Sequence, residues 1–108
     1  MKTNVAFFYG CRSVEHEVSI ISAVQAMASV NKEKYDITPD YVTKNGEMYS
    51  GSALFNIEEY KNLHTLLDKC KKVNFTRENN TVYMVEQSKK KFKKPTLTQI
   101  DVAFPVVH

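Results

Sequence analysis

The chain has 108 residues, 43% apolar and 25% charged, the composition of one ordinary globular domain with a single modest core. Its net charge of +3 is local: Lys89, Lys90, Lys91, Lys93 and Lys94 supply five positive charges, and the rest of the chain sums to a small negative excess. A uniformly basic nucleic-acid surface is therefore excluded, and no apolar run approaches the roughly 18 residues of a membrane span.

Residues 3–9 (TNVAFFY) form a short, nearly continuous apolar run, the pattern of a strand covered on both faces. Gly10 ends it. Ser13 has the side chain of an N-cap. Val14, Val18, Ile21, Val24 and Met27/Ala28 then recur every three or four residues, which lays an apolar stripe along a helix over 14–31. KYDITPDYVTK reads as a second strand, in which Pro39 suggests an edge or irregular position. Lys44-Asn45-Gly46-Glu47 is a hairpin turn signal leading into the short partner EMYS. Residues 57–70 carry Ile57, Tyr60, Leu63, Leu66, Leu67 and Cys70 at helical spacing. KVNFT and TVYMVE alternate about Glu78-Asn79-Asn80 as a second hairpin. QSKKKFKKPTLTQ is polar and basic, hence a surface loop, and IDVAFPVVH closes the chain as a last buried strand. No internal repeat is present.

This order predicts an α/β fold: a three-layer, Rossmann-like domain, residues 1–108, with a mainly parallel central sheet flanked by helices and hairpins at the edge. Ligands of such folds bind off the carboxyl ends of the strands. Gly10–Ser13 follow the first strand and His108 ends the last, so Glu15 and His108 face one crevice if those strands are neighbours.

Glu15, His16 and Glu17 crowd the first turn of the expected helix. Both carboxylates have a purely structural account, because the helix dipole favours anions there by roughly 0.3–1 kcal/mol each. They equally suit a cation such as the ammonium of a small amino acid. At about 4 Å and an effective dielectric near 20, such a pair gains on the order of 4 kcal/mol before desolvation. HEVSI begins like a zinc motif, but Ile20 stands where the second histidine is needed, so no metal is expected. No dinucleotide or P-loop glycine pattern occurs. Cys11 and Cys70 have neither metal spacing nor a disulfide framework, which fits a reducing cytoplasm, and no secretory signal is apparent. The lysine run lacks any RNA-binding signature and reads as a solvated loop. His64 reads as a helix-surface residue.

The block GCRSVEHEVSIISA resembles the N-terminal signature of the D-alanine–D-alanine ligases, Gly-Gly-x-Ser-x-Glu-(His/Arg)-Glu-Val-Ser. IDVAFPVVH is similar to that family's strand running into His-Gly, and YDITPDYVTKNGEMY to its second strand and hairpin. Cys11 stands where the family has its second glycine. The resemblance implies an ATP-dependent ligase that joins two D-alanines for peptidoglycan, with a pre-ATP-grasp N-terminal domain here. Glu15 would hold the ammonium of the first D-alanine, Val18 would line the pocket near its methyl group, and Ser19 would fix the helix start. His108 would orient that substrate's carboxylate or assist proton transfer.

Family members are about three times this long on ordinary domain sizes. The resemblance thus places ATP and Mg²⁺ in central and C-terminal ATP-grasp domains of the same polypeptide, absent from this sequence, with no cofactor or metal expected in these 108 residues. It also implies a cytoplasmic homodimer that binds neither nucleic acid nor membrane. Ligases using D-serine or D-lactate as second substrate share the pattern, and a non-catalytic amino-acid-binding regulatory domain is the alternative of a different class. On the ligase reading, the 108-residue chain alone neither hydrolyses ATP nor ligates D-alanine. Magnesium-dependent ATP turnover by the purified chain above a buffer control would contradict this.

Overall fold

The computed structural model describes residues 2–10, 16–86 and 96–106. Strand β1 (Thr3–Gly10) leads to helix α1 (His16–Ser29), then to strands β2 (Tyr35–Val42) and β3 (Met48–Ser50). Two 3₁₀ turns, Ser52–Phe55 and Ile57–Lys61, precede helix α2 (Leu63–Lys69). Strands β4 (Lys71–Glu78), β5 (Thr81–Glu86), β6 (Thr96–Ile100) and β7 (Val102–Pro105) complete the chain. Among the described residues the seven strands form one sheet of order β6-β5-β4-β3-β2-β1-β7.

The α/β class and the parallel core are as the sequence suggests: β1 lies between β2 and β7 and is parallel to both. The sheet is mixed rather than mainly parallel, because β2–β3, β3–β4, β4–β5 and β5–β6 are all antiparallel. Its layers also differ from expectation. Both helices cover one face, where Phe7, Tyr9 and Tyr41 pack against Ile20, Ala23 and Met27 of α1, Leu54, and Leu66 of α2. The other face is covered by the sheet itself. Ala6 and Phe8 of β1 pack with Val73 and Phe75 of β4, Met84 of β5 and Ile100 of β6. Phe8 and Phe75 have ring centroids 5.1 Å apart. Strands three places apart in a flat sheet are separated by about 14 Å, so the β4–β5–β6 meander folds back across β1.

That fold-back brings the two edges of the sheet together, since Asp101 alone separates β6 from β7. Asn4 clasps the corner. Its N–H donates to Asp101 Oδ2 (2.8 Å) and its carbonyl accepts from Asp101 N–H (2.9 Å). Its side-chain amide donates to the Gln99 carbonyl (2.9 Å), and its Oδ1 accepts from Thr38 Oγ1 (2.8 Å).

Local chemistry explains where the sequence expectations shift. Pro39 lies in an interior strand rather than at an edge. Its carbonyl points toward β3 and accepts from Ser50 Oγ at 2.6 Å. The β2–β3 ladder registers only Tyr41–Tyr49 and Val42–Met48, so no ladder bond is lost for want of a proline N–H. The single helix expected over 57–70 is broken, because Asn56 and Asn62 each accept backbone N–H groups through their side chains and restart the chain twice. Thr96–Gln99, read as loop, and Ile100, read as the start of the last strand, form strand β6. Its polar residues are tolerated because one face, with Leu97 and Gln99, is exposed while Ile100 is buried on the other. The last strand is an exposed edge rather than buried, with Val102 46% and Phe104 51% accessible. The turn at 43–47 forms as expected, with Gly46 at φ +89° and its N–H donating to the Thr43 carbonyl. Asn79 and Asn80, both at positive φ, turn β4 into β5.

Asn4→Ala removes both side-chain bonds of the clasp and is expected to cost about 1–3 kcal/mol, read from urea denaturation midpoints. Asp36→Ala, which touches only an exposed 4.0 Å pair with Lys2, is expected to change stability by no more than about 0.5 kcal/mol.

Candidate functional site

Because β1 and β7 are adjacent and parallel, their carboxyl ends emerge side by side. β1 ends at Gly10 with φ +97°, a left-handed conformation open to glycine at little cost. β7 is prolonged by the Val106 N–H donating to the Phe8 carbonyl at 2.7 Å. Ser19 sits across this point from the first turn of α1, 2% exposed. Its hydroxyl accepts from the Gly10 N–H (3.1 Å) and donates to the Val106 carbonyl (2.8 Å). One side chain thus ties the start of α1 to both strand ends and satisfies two backbone groups that no ladder reaches.

Of the four site residues expected from the sequence, the structure places two. Ser19 joins α1 to the backbone of Gly10 and Val106. Val18, beside it on α1, is 48% exposed. The apolar stripe expected through Val18 and Ile21 is rotated: the buried face runs through Ile20, Ala23 and Met27, and Ile21 is 49% exposed. Glu15 and His108 lie outside the described residues, as do Cys11, the Ser13 cap and the Lys89–Lys94 run. Gly10 and Val106 contribute only backbone atoms, so no side-chain signal in the sequence marks them. The glycine before Cys11 is the nearest hint.

Beneath this corner the helix face holds a tyrosine network. Tyr9, fully buried, lies 2.5 Å from Tyr60 Oη, and Tyr60 donates to the Leu54 carbonyl at 2.7 Å. Tyr41 meets the edge of Tyr60 at 5.9 Å between centroids. Burial raises the Tyr9 phenol far above its ordinary range, with the Tyr60 charge adding to it, and pushes Tyr41 up to about 12. All three remain neutral, so the network is a rigid support. Burial, then the charge of Glu59, also raises the Cys70 thiol. His64 is exposed and 3.8 Å from Asp68, the helix-surface position expected of it.

A cleft of about 350 Å³ lies elsewhere, between α1 and the first 3₁₀ turn, lined by Val24, Ala28, Lys32 and Phe55. Ala28 is nine residues beyond Ser19, about 13 Å along the helix. Among the described residues no group of three or more His, Cys, Asp or Glu gathers to hold a metal ion, and no helix is long and apolar enough to cross a membrane.

Residues 4–108 match the family described as "D-ala D-ala ligase N-terminus". The chain belongs to that family. It is 39% identical over 106 residues to the D-alanine–D-alanine ligase of Thermosipho melanesiensis, covering 97% of this chain and 27% of the relative. It is 36% identical over 107 residues to that of Chloroherpeton thalassium, covering 99% and 29%. Among solved structures, a D-Ala:D-Ser ligase, VanG, from Enterococcus faecalis superposes with a TM-score of 0.76 at 24% identity, covering 100% of this chain and 29% of the other. The D-alanine–D-alanine ligase of Coxiella burnetii gives 0.74 at 20% identity, covering 99% and 29%. These two likenesses establish the shared fold. The ligase-family chain thus spans somewhat more than a quarter of the length of the curated relatives it matches.

Within this ligase-family domain, Ser19→Ala leaves the Gly10 N–H and the Val106 carbonyl without their partner. The expected loss is about 1–3 kcal/mol of stability, with faster hydrogen exchange at Gly10 than at Phe7. Unchanged exchange at Gly10 would show that the clasp holds nothing.

Proposed function

We propose that this chain forms the first-substrate wall of a D-alanine–D-alanine ligase, the enzyme that joins two D-alanines at the expense of ATP to supply a dipeptide for peptidoglycan. The observation that carries this reading is the Ser19 bridge. One hydroxyl holds Gly10, at the end of β1, and Val106, beyond β7, against α1, and Glu15 and His108 follow these residues in sequence. In this reading Glu15 and His108 serve one crevice at the carboxyl ends of these parallel strands, where ligands of such folds bind.

In this reading the Glu15 carboxylate holds the ammonium of the first D-alanine and orients its carboxylate outward for activation. Val18, accessible beside Ser19, offers apolar surface to the methyl group. His108 orients the substrate carboxylate or moves a proton beside it. Ser19 is a positioning residue that keeps the two strand ends in register with α1. The family resemblance assigns ATP and Mg²⁺ to the remainder of the ligase. With that remainder come a homodimeric assembly and a cytoplasmic location, where the peptidoglycan precursor would be made.

In the complete ligase carrying this chain, Glu15→Gln keeps the shape of the side chain and removes its charge. kcat/KM for the first D-alanine is expected to fall by about 30- to 1000-fold, on the order of 2–4 kcal/mol. Glu17→Gln is expected to cost far less, on the reading that this carboxylate is only a partner of the helix dipole. Equal losses from the two substitutions would return Glu15 to the same structural role.

A further inference from the structure

Between the two layers of the folded sheet lies a carboxyl group that neither the fold nor the ligase chemistry uses. Asp40 of β2 is 0% exposed, and neither of its oxygens has a hydrogen-bond partner. In the parallel ladder it stands opposite Phe8, so it shares the face on which Phe8 meets Phe75. The hydroxyl on β3, Ser50, is spent on the Pro39 carbonyl. An ionised carboxylate held dry without a partner is among the costliest groups a fold can contain.

The groups that face Asp40 do not neutralise it. β1 offers Ala6 and Phe8 on this side. The phenol of Tyr9, on the opposite side, only senses the charge and is pushed up by it. β3 offers Met48 and Ser50. On β4, Lys71 and Arg77 share the side of Val73 and Phe75 but are exposed toward the strand's two ends, Arg77 donating to Asn80 Oδ1; on β5, half-buried Glu86 stands opposite Val73. The described residues of β6 bring no charge to this side, and Asp36 of β2 is exposed toward Lys2. Burial alone raises the Asp40 carboxyl to about 7.

Apart from the apolar contacts between the layers, the covering layer is attached at two places. β3, the strand that joins it to the parallel core, has three residues and two registered pairs to each neighbour. At the far edge the attachment is the Asn4–Asp101 corner, whose hydrogen bonds are open to solvent.

We propose that Asp40 is a proton-operated latch between the layers: its neutral form lets the β4–β5–β6 meander seat on β1 and β2, and its ionisation loosens the meander about the β3 joint. The sign follows from linkage. The closed form holds a proton that the open, hydrated form releases near the ordinary aspartate value of 3.8. Closure is therefore most favoured at the acid end, weakens as pH rises from about 4 to about 7, and is level above that. The proposal is independent of the ligase reading.

Amide hydrogen exchange of the 108-residue chain between pH 4.5 and 8, corrected for intrinsic rates, tests it. Protection of the β4–β6 amides is expected to fall by up to about tenfold per pH unit until near pH 7 and then level off. Asp40→Asn, neutral and of the same shape, is expected to hold protection constant over that range. A ¹³C titration of the Asp40 carboxyl in the unsubstituted chain is expected to have its midpoint near 7. A midpoint near 4, flat protection in the unsubstituted chain, or the same slope in Asp40→Asn would each overturn the latch. If Asp40→Asn fails to fold, the carboxyl midpoint and the unsubstituted slope decide the matter.

Discussion

The constraint on which the rest of this molecule depends is that one sheet must supply its own second layer. Both helices are spent on a single face, so the opposite face of β1 would be wet unless something covered it. The β4–β5–β6 meander does so by curling until β6 lies over β1, and the chain then needs only Asp101 to step from one edge of the sheet to the other. Asn4 makes that step possible because its backbone and side chain together accept and donate four times at one corner. Ala6, fully buried, is small where the layers meet.

The same closure sets the position of the candidate site. β7 enters beside β1 because the β6–β7 corner delivers it there, and parallel pairing leaves both carboxyl ends at one place. Ser19 then converts proximity into registration. A hydroxyl is suited to this because it donates and accepts at once: it takes the last N–H of β1 and gives to the carbonyl beyond β7.

Buried polarity is handled in two opposite ways on the two faces. Under the helices, Tyr9 and Tyr60 are satisfied in a chain that ends on the Leu54 carbonyl, and the network stiffens the wall below Gly10. Under the meander, Asp40 has no such chain, although Thr38, two residues earlier on the same side, donates to Asn4. A satisfied network contributes rigidity, and an unsatisfied carboxyl makes the layer sensitive to protons.

Much of this was legible in the sequence, because it depends on local rules. Alternation and apolar runs located β1, β2, β4 and β5, and turn chemistry located Gly46 and Asn79-Asn80. The motif around Glu15 and Ser19 pointed to the family before any geometry. What local rules could not reach was the partner of each face. The buried side of α1 runs through Ile20 and Ala23 instead of Val18 and Ile21, because the sheet's position, not the helix's own periodicity, selects which side is covered. β6 was hidden within a polar stretch, since a strand with one wet face needs few apolar residues. The edge character of β7 and the isolation of Asp40 depend on which strands stand beside or above them. The sequence by itself determined the elements, the turns and the family; only the tertiary structure decided that the sheet folds over itself, because layer pairing is fixed by contacts between residues as far apart as Phe8 and Phe75 or Asn4 and Asp101.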